Sequence, residues 1–240
     1  QNDAPSNHFN TVLYNGNGST TQAITGVGFE AGFTWIKCRT SAQQHGLFDT
    51  IRGANEWLHS DSTAAQTTYS GNYGLLSWAS DGFTVGNGSS LNASGQSYVA
   101  WNFKAGGAAV TNTEGTINSD VSVNNTLGFS IVSYTTQSSG TATVGHGLSS
   151  PPDMVIVKTT GVADSWRTYH SSLGADKQIF LNTAAAVGTT ANQWNNTSPT
   201  NSVFSLGTDN AGSYTTIAYC FTSKPGFSKV GSYTGNGSTS

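Results

Sequence analysis

Charge is what this chain has least of. Lys, Arg, Asp and Glu make up 9% of its 240 residues, against roughly 25% in an average globular protein. The net charge is -3 and no Lys/Arg cluster occurs. A nucleic-acid backbone needs a concentrated positive face, so no nucleic-acid partner is expected. Long apolar runs are missing too. None approaches the roughly 20 residues that span a bilayer, and no membrane insertion is expected. Cysteine is nearly absent, with only Cys38 and Cys220. A small disulfide scaffold carries more, at tighter spacing, so the expectation is two buried free thiols. Stability must then come from core packing and strand pairing. The chain starts at Gln1 without a Met or a signal-peptide pattern, which predicts a processed product or a fragment.

Gly, Asn, Ser and Thr fill the place of charge. Disorder is not expected, because 35% of the residues are hydrophobic and 11% aromatic, with β-branched residues spread along the whole length. Such a composition suits a soluble β protein working outside cells.

The pattern repeats. "FTWIKCRT" (Phe33 to Thr40) compares with "DMVIVKTT" (Asp153 to Thr160), and Lys37 and Lys158 stand 121 residues apart. At that offset Gly53-Ala54 falls on Gly174-Ala175, Phe83 on Phe204 and Gly86 on Gly207, with no gap from Trp35 to Gly86. Closing strands match at an offset of 118, "YVAWNF" (Tyr98 to Phe103) beside "TIAYCF" (Thr216 to Phe221). The openings agree as well: "FNTVLY" (Phe9 to Tyr14), "FSIVSY" (Phe129 to Tyr134) and, with one extra residue, "FSKVGSY" (Phe227 to Tyr233). Self-similarity at a fixed period marks a repeat architecture. The expected organisation is one unit over 1–110, a linker or edge hairpin over 111–126, a second unit over 127–225, and the first strand of a truncated third over 226–240.

Within each unit the apolar stretches are short, with period-two or fully buried strand character. Breaks of the "NGNG", "DG" and "NASG" type separate them, and Asn-Gly and Asp-Gly accept the positive φ of tight turns. "NGNGS" after "TVLY" reads as a hairpin loop. "STAAQ" and "TAAAV" form at most a turn. The expected fold is all-β, as tandem antiparallel β-sandwich repeats of the jelly-roll or lectin-like kind.

Reactive groups do not converge in the sequence. There is no nucleophile elbow, HExxH, CxxC or Walker loop. The five His residues (His8, His45, His59, His146, His170) lack ligand-like spacing, so no metal and no cofactor is expected. Paired carboxylates would make a glycosidase, but none of Asp49, Glu56, Asp61, Asp81, Asp164, Asp176 and Asp209 is retained between the units. They read as solvated loop acids, and no catalytic residue is assigned. The N-x-S/T sequons, two of which lie in the repeated turn at Asn17 and Asn236, are explained by turn chemistry.

Aromatic residues in the loop-rich middle of each unit are the remaining candidates. Trp57, Trp166, Tyr169 and Trp194 could stack on sugar rings, with neighbouring Asn, Asp and Ser binding hydroxyls. The competing reading is that they cap the ends of the core.

"WNNTSPTNSVFSLGTDNAGSYTTIAYCF" (Trp194 to Phe221), "KPGFSKVGSYTGNGS" (Lys224 to Ser238) and "GFEAGFTWIKCR" with "SDSTAA" resemble a repeat domain of phage structural proteins. It occurs in tail-fibre-like or virion-surface proteins of marine and cyanobacterial phages. The resemblance covers nearly the whole chain. It implies a β-sandwich repeat used for virion architecture or host contact, and supplies no catalytic residues. The expectation is therefore a non-enzymatic structural and adhesive protein at the virion surface or otherwise extracellular. Its partners would be other virion proteins or copies of itself in a homo-oligomer, and host-surface glycans. The alternatives are a carbohydrate-binding module and, behind it, a glycan-degrading enzyme.

Overall fold

The computed structural model describes residues 4–237. Their sheets are built from antiparallel pairs. Helix is confined to one α turn at Ser89–Asn92 and two 3-10 turns. The chain is all-β, as its short alternating stretches require.

Two large sheets lie at the centre. The first orders its strands Phe9–Asn15, Ser97–Phe103, Phe33–Cys38, Gly46–Asp49. The second holds the run Phe129–Thr135, Thr215–Phe221, Met154–Thr159, Arg167–His170. Val110–Asn112 and Ser119–Asn124 extend it on one side, Lys177–Phe180 and Gly188–Thr189 on the other. Phe9, Phe103, Phe33 and Asp49 stand side by side across the first sheet. Phe129, Phe221, Met154 and His170 do so across the second. Strand order and register thus coincide between the two runs. A smaller sheet backs each: Gln22–Thr25, Gly82–Val85 and Leu75–Ala79 behind the first, Ala142–Gly145 and Val203–Leu206 behind the second.

Period-two alternation gives each central strand two apolar faces. In Phe33–Cys38, Phe33 and Trp35 point toward the opposite large sheet, Ile36 and Cys38 toward the small sheet behind. In Met154–Thr159, Met154 and Ile156 take the first role, Val155 and Val157 the second. Such strands read as unbroken apolar runs because both faces are buried. Three apolar clusters result: one in each half, and a third between the large sheets. We call the third the seam.

Several expectations need correction or placement. "NGNGS" is not a hairpin loop, because the strands on either side of it, Phe9–Asn15 and Gln22–Thr25, lie in different sheets. It is a crossover loop, docked by Gly18 N–H on the Asn92 carbonyl at 2.9 Å and by Asn17 N–H on Asn92 Oδ1 at 2.9 Å. "DG" does close a hairpin, with Ala79 paired to Gly82. Residues 111–126 hold most of a hairpin whose second strand pairs with Phe129–Thr135. No strand forms over 226–237. Phe227 packs on the seam, while Tyr233 is 94% exposed, and a strand without a ladder partner leaves its backbone to water. Residues 238–240 of that segment lie outside the described residues. Cys38 and Cys220 are buried and free.

One backbone device recurs. A Cβ at Gly86 would press on the Asn72 carbonyl, and one at Gly207 on the Asn192 carbonyl. Both glycines follow the strand that pairs across each small sheet, where only a bare backbone fits.

Candidate functional site

The four aromatic residues proposed for sugar stacking are all buried. Trp57 is 2% exposed, Trp166 0%, Tyr169 4% and Trp194 2%. Nor are they brought together. Trp57 lies in the first half's cluster, Trp166 in the seam, and Tyr169 and Trp194 in the second half's cluster. Trp57 donates its indole N–H to the His45 carbonyl at 3.2 Å and meets Tyr69 edge-on at 5.3 Å. Tyr169 meets Trp194 edge-on at 5.9 Å. None turns a ring face to solvent, so none can serve as a stacking platform. Each ring is buried in an apolar cluster because burying an aromatic side chain outweighs exposing it.

The site that the fold does build is the seam. Phe33 stacks on Tyr219 at 4.4 Å, and Phe103, Phe129 and Phe221 continue the aromatic cluster in tilted and edge-on contacts at 5.1 to 5.8 Å. At its flank sits a buried ionic cluster. Asp49, 0% exposed, accepts from Arg52 Nε at 2.5 Å, from the backbone N–H groups of Ile51 and Arg52, and from the Tyr219 hydroxyl at 2.7 Å. Arg52 spends its remaining donors on the Glu56 and Leu47 carbonyls, Gln66 and the Tyr219 oxygen. Burial works against the Arg52 charge, but Asp49 and Tyr219 outweigh it and hold its pKa above the ordinary value. Burial, with Asp49 beside it, drives the Tyr219 phenol well above its usual range. Asp49 is therefore no solvated loop acid. Arg52 compensates its charge within the first half and Tyr219 adds a hydroxyl donor from across the seam, as a buried carboxylate requires.

A second polar staple lies beside it. Lys158 is 0% exposed and donates to the Thr63 carbonyl at 3.0 Å and the Asp164 carbonyl at 2.7 Å. Burial pushes its pKa down to about 8, against the pull of Asp164. Trp166 donates to the His59 carbonyl at 2.7 Å, and Gln66 N–H to the Thr160 carbonyl at 2.8 Å. The loop over 59–66 thus clasps the loop over 158–166. Lys37, aligned with Lys158 in sequence, donates to the Gln43 carbonyl at 2.6 Å. Each of these lysines closes the loop that follows its strand by reaching a carbonyl six residues on. The sequence marks both lysines by alignment but does not say what they bind.

Where the first large sheet ends, the seam-facing side of the second turns polar. Ser133, Thr160 and Thr215 line a cavity of about 260 Å³ with Glu56 and Gln66. Ser133 also borders a shallower depression of about 520 Å³ reaching Asn118 and Asp120. The Glu56 carboxylate is tied to Gln66 at 2.5 Å and Thr68 at 2.8 Å, an arrangement that binds hydroxyls and amides rather than presenting a free base. Among the described residues no cluster of three or more His, Cys, Asp or Glu side chains could hold a metal, and no helix is long and apolar enough to cross a membrane.

The family profile described as "Domain of unknown function (DUF7483)" matches residues 4–240. No curated protein and no solved structure matches the chain.

Proposed function

We propose that this chain, which belongs to the DUF7483 family, is a non-enzymatic structural and adhesive module of a tail-fibre-like or other virion-surface appendage. Residues 1–110 and 127–225 are read as two copies of one β-sandwich unit, and 226–240 as the opening of a third. Support for the copies comes from the shared strand order and register, the matched roles of Lys37 and Lys158, and the matched close approaches at Gly86 and Gly207.

The observation that carries the functional reading is the seam. Its aromatic cluster, and the Tyr219 hydroxyl that reaches the Asp49–Arg52 ion pair from the other half, join the two halves through a packed core rather than a linker, as a load-transmitting strut needs. The phage setting rests on the sequence resemblance. A glycan-stacking module is the weaker reading, because its four named rings are buried. Immunogold electron microscopy of particles, with antibody against this chain, is expected to label an external appendage. A protein found only free of particles overturns the reading.

A further inference from the structure

The two central runs of strands differ at one edge. Phe129–Thr135 is covered on its outer side by Ser119–Asn124, whereas Phe9–Asn15, its counterpart, pairs only with Ser97–Phe103. The consequence is visible in burial. Val132 is 0% and Tyr134 4% exposed, while Val12 and Tyr14 at the corresponding positions are only partly buried, and Leu13 is 62% exposed.

The backbone at this edge has a definite phase. Lys104 N–H bonds the His8 carbonyl and Gly16 N–H the Gln96 carbonyl, both at 2.8 Å, so even-numbered residues face the inner ladder. Phe9, Thr11, Leu13 and Asn15 therefore aim their N–H and C=O outward. Two of these groups are held by side chains: Thr11 N–H by Asn10 Oδ1 and the Asn15 carbonyl by Gln22, each at 2.9 Å. Leu13 keeps both groups clear. The strand carries no charge, Pro or bulge, the devices that blunt an edge. Four other edges among the described residues are weaker. Val110–Asn112 and Gly188–Thr189 are very short, Leu75–Ala79 is bulged, and Gly46–Asp49 is bridged by Leu58.

We propose that this edge pairs with the same edge of a second copy, antiparallel about a two-fold axis at Val12. The strand that covers the other edge supplies the template. From Phe129 to Tyr134 the facing residues are Asn124, Val123, Ser122, Val121, Asp120 and Ser119. With Val12 opposite Val12, the residues facing Phe9 to Tyr14 become Asn15, Tyr14, Leu13, Val12, Thr11 and Asn10. Asn falls on Asn and Val on Val. A small polar residue again stands beside the tyrosine, and an apolar one at the far end of the core side. The pairing buries Val12 and Tyr14 and joins two four-stranded sheets into one of eight. An isologous contact of this kind closes after two copies. The inference does not rest on the virion reading.

Sedimentation velocity over a concentration series should show a monomer–dimer equilibrium. Leu13→Pro removes only an outward donor and leaves the inner ladder intact. It should weaken the dimer by roughly thirtyfold, the loss of one ladder bond from each copy. Leu13→Lys keeps the backbone donor but sets a charge on the edge of each copy, and should weaken the dimer as well; circular dichroism checks that both variants fold. Under oxidation Val12→Cys should form a disulfide-linked dimer, because the axis sets the two positions face to face. A monomer at every concentration overturns the proposal. So does a dimer indifferent to Leu13→Lys, or one that Val12→Cys does not cross-link.

Discussion

Replacing Lys158 by Met tests the reading of the seam most directly. The lysine is 0% exposed and burial pushes its pKa down to about 8, whereas an unfolded chain holds a lysine near 10.4. Folded protein therefore binds fewer protons than unfolded protein between about pH 8 and 10.4, and stability from this group rises with pH through that window. Integrated from pH 8 to 9.5, the gain is about 1.5 kcal/mol. Two thiols titrate nearby. The Cys220 thiol is pushed up to about 12 by burial. The Cys38 thiol is raised by burial but lowered overall by its bonds to Ser41 and Thr40. Both are shared by wild type and Lys158→Met, so they cancel in the difference. Urea unfolding of the two proteins at pH 7, 8, 9 and 9.5, read as the gap between their stabilities, should move in favour of wild type by about 1–2 kcal/mol across the upper half of the series. A gap that stays flat, or moves the other way, refutes the buried, carbonyl-bound charge.

Tyr219→Phe removes the hydroxyl that donates to the buried Asp49 carboxylate at 2.7 Å and should cost about 1–3 kcal/mol in urea unfolding; an unchanged midpoint would mean the contact contributes nothing. Trp166→Phe leaves the His59 carbonyl without its 2.7 Å indole donor. It should lower stability by about 2–3 kcal/mol and leave any binding of host polysaccharide unchanged, and loss of binding at full stability would restore the stacking role. Gly207→Ala drives a methyl into the Asn192 carbonyl and should cost about 1–3 kcal/mol, while Gly161→Ala, which meets nothing within 4 Å, should stay within about 0.5 kcal/mol of wild type.

Strands were legible because they depend on local pattern. "FTWIKC" and "MVIVKT" show β-branched and aromatic residues in short bounded runs, and the aligned residues occupy matching ladder positions. The thiols were legible as well. What periodicity could not say is which partner buries each face of such a run. Phe33 and Ile36 look alike in sequence, yet one meets Tyr219 and the other lines the first half's own core. The loops were harder. Trp57, Trp166, Tyr169 and Trp194 sit in polar stretches that read as exposed loops. Yet Tyr169 lies in the strand Arg167–His170 and Trp57 in the short strand Glu56–Trp57, and all four rings are buried. Asp49 reads as a solvated loop acid for a similar reason. Its i, i+3 partner Arg52 was visible in the sequence, while the hydroxyl that completes the site comes from Tyr219 in the other half. The "NGNGS" error has a separate cause: turn chemistry shows that the chain reverses, not whether it returns to the same sheet.

A chain this poor in charge nevertheless buries Asp49, Arg52 and Lys158 where its two large sheets meet. Aromatic and aliphatic faces alone would tolerate several registers, since stacked rings and branched side chains pack acceptably after a shift of one residue pair. The ionic groups do not. Tyr219 reaches Asp49, and Lys158 reaches the Thr63 carbonyl, only when the sheets sit as they do. Any slid arrangement strips Asp49 of the Tyr219 hydroxyl and Lys158 of the Thr63 carbonyl, a cost of about 1–3 kcal/mol for each buried bond lost. The aromatic stack supplies most of the attraction, and the polar groups decide between otherwise similar packings. That division of labour holds the two halves in one fixed geometry.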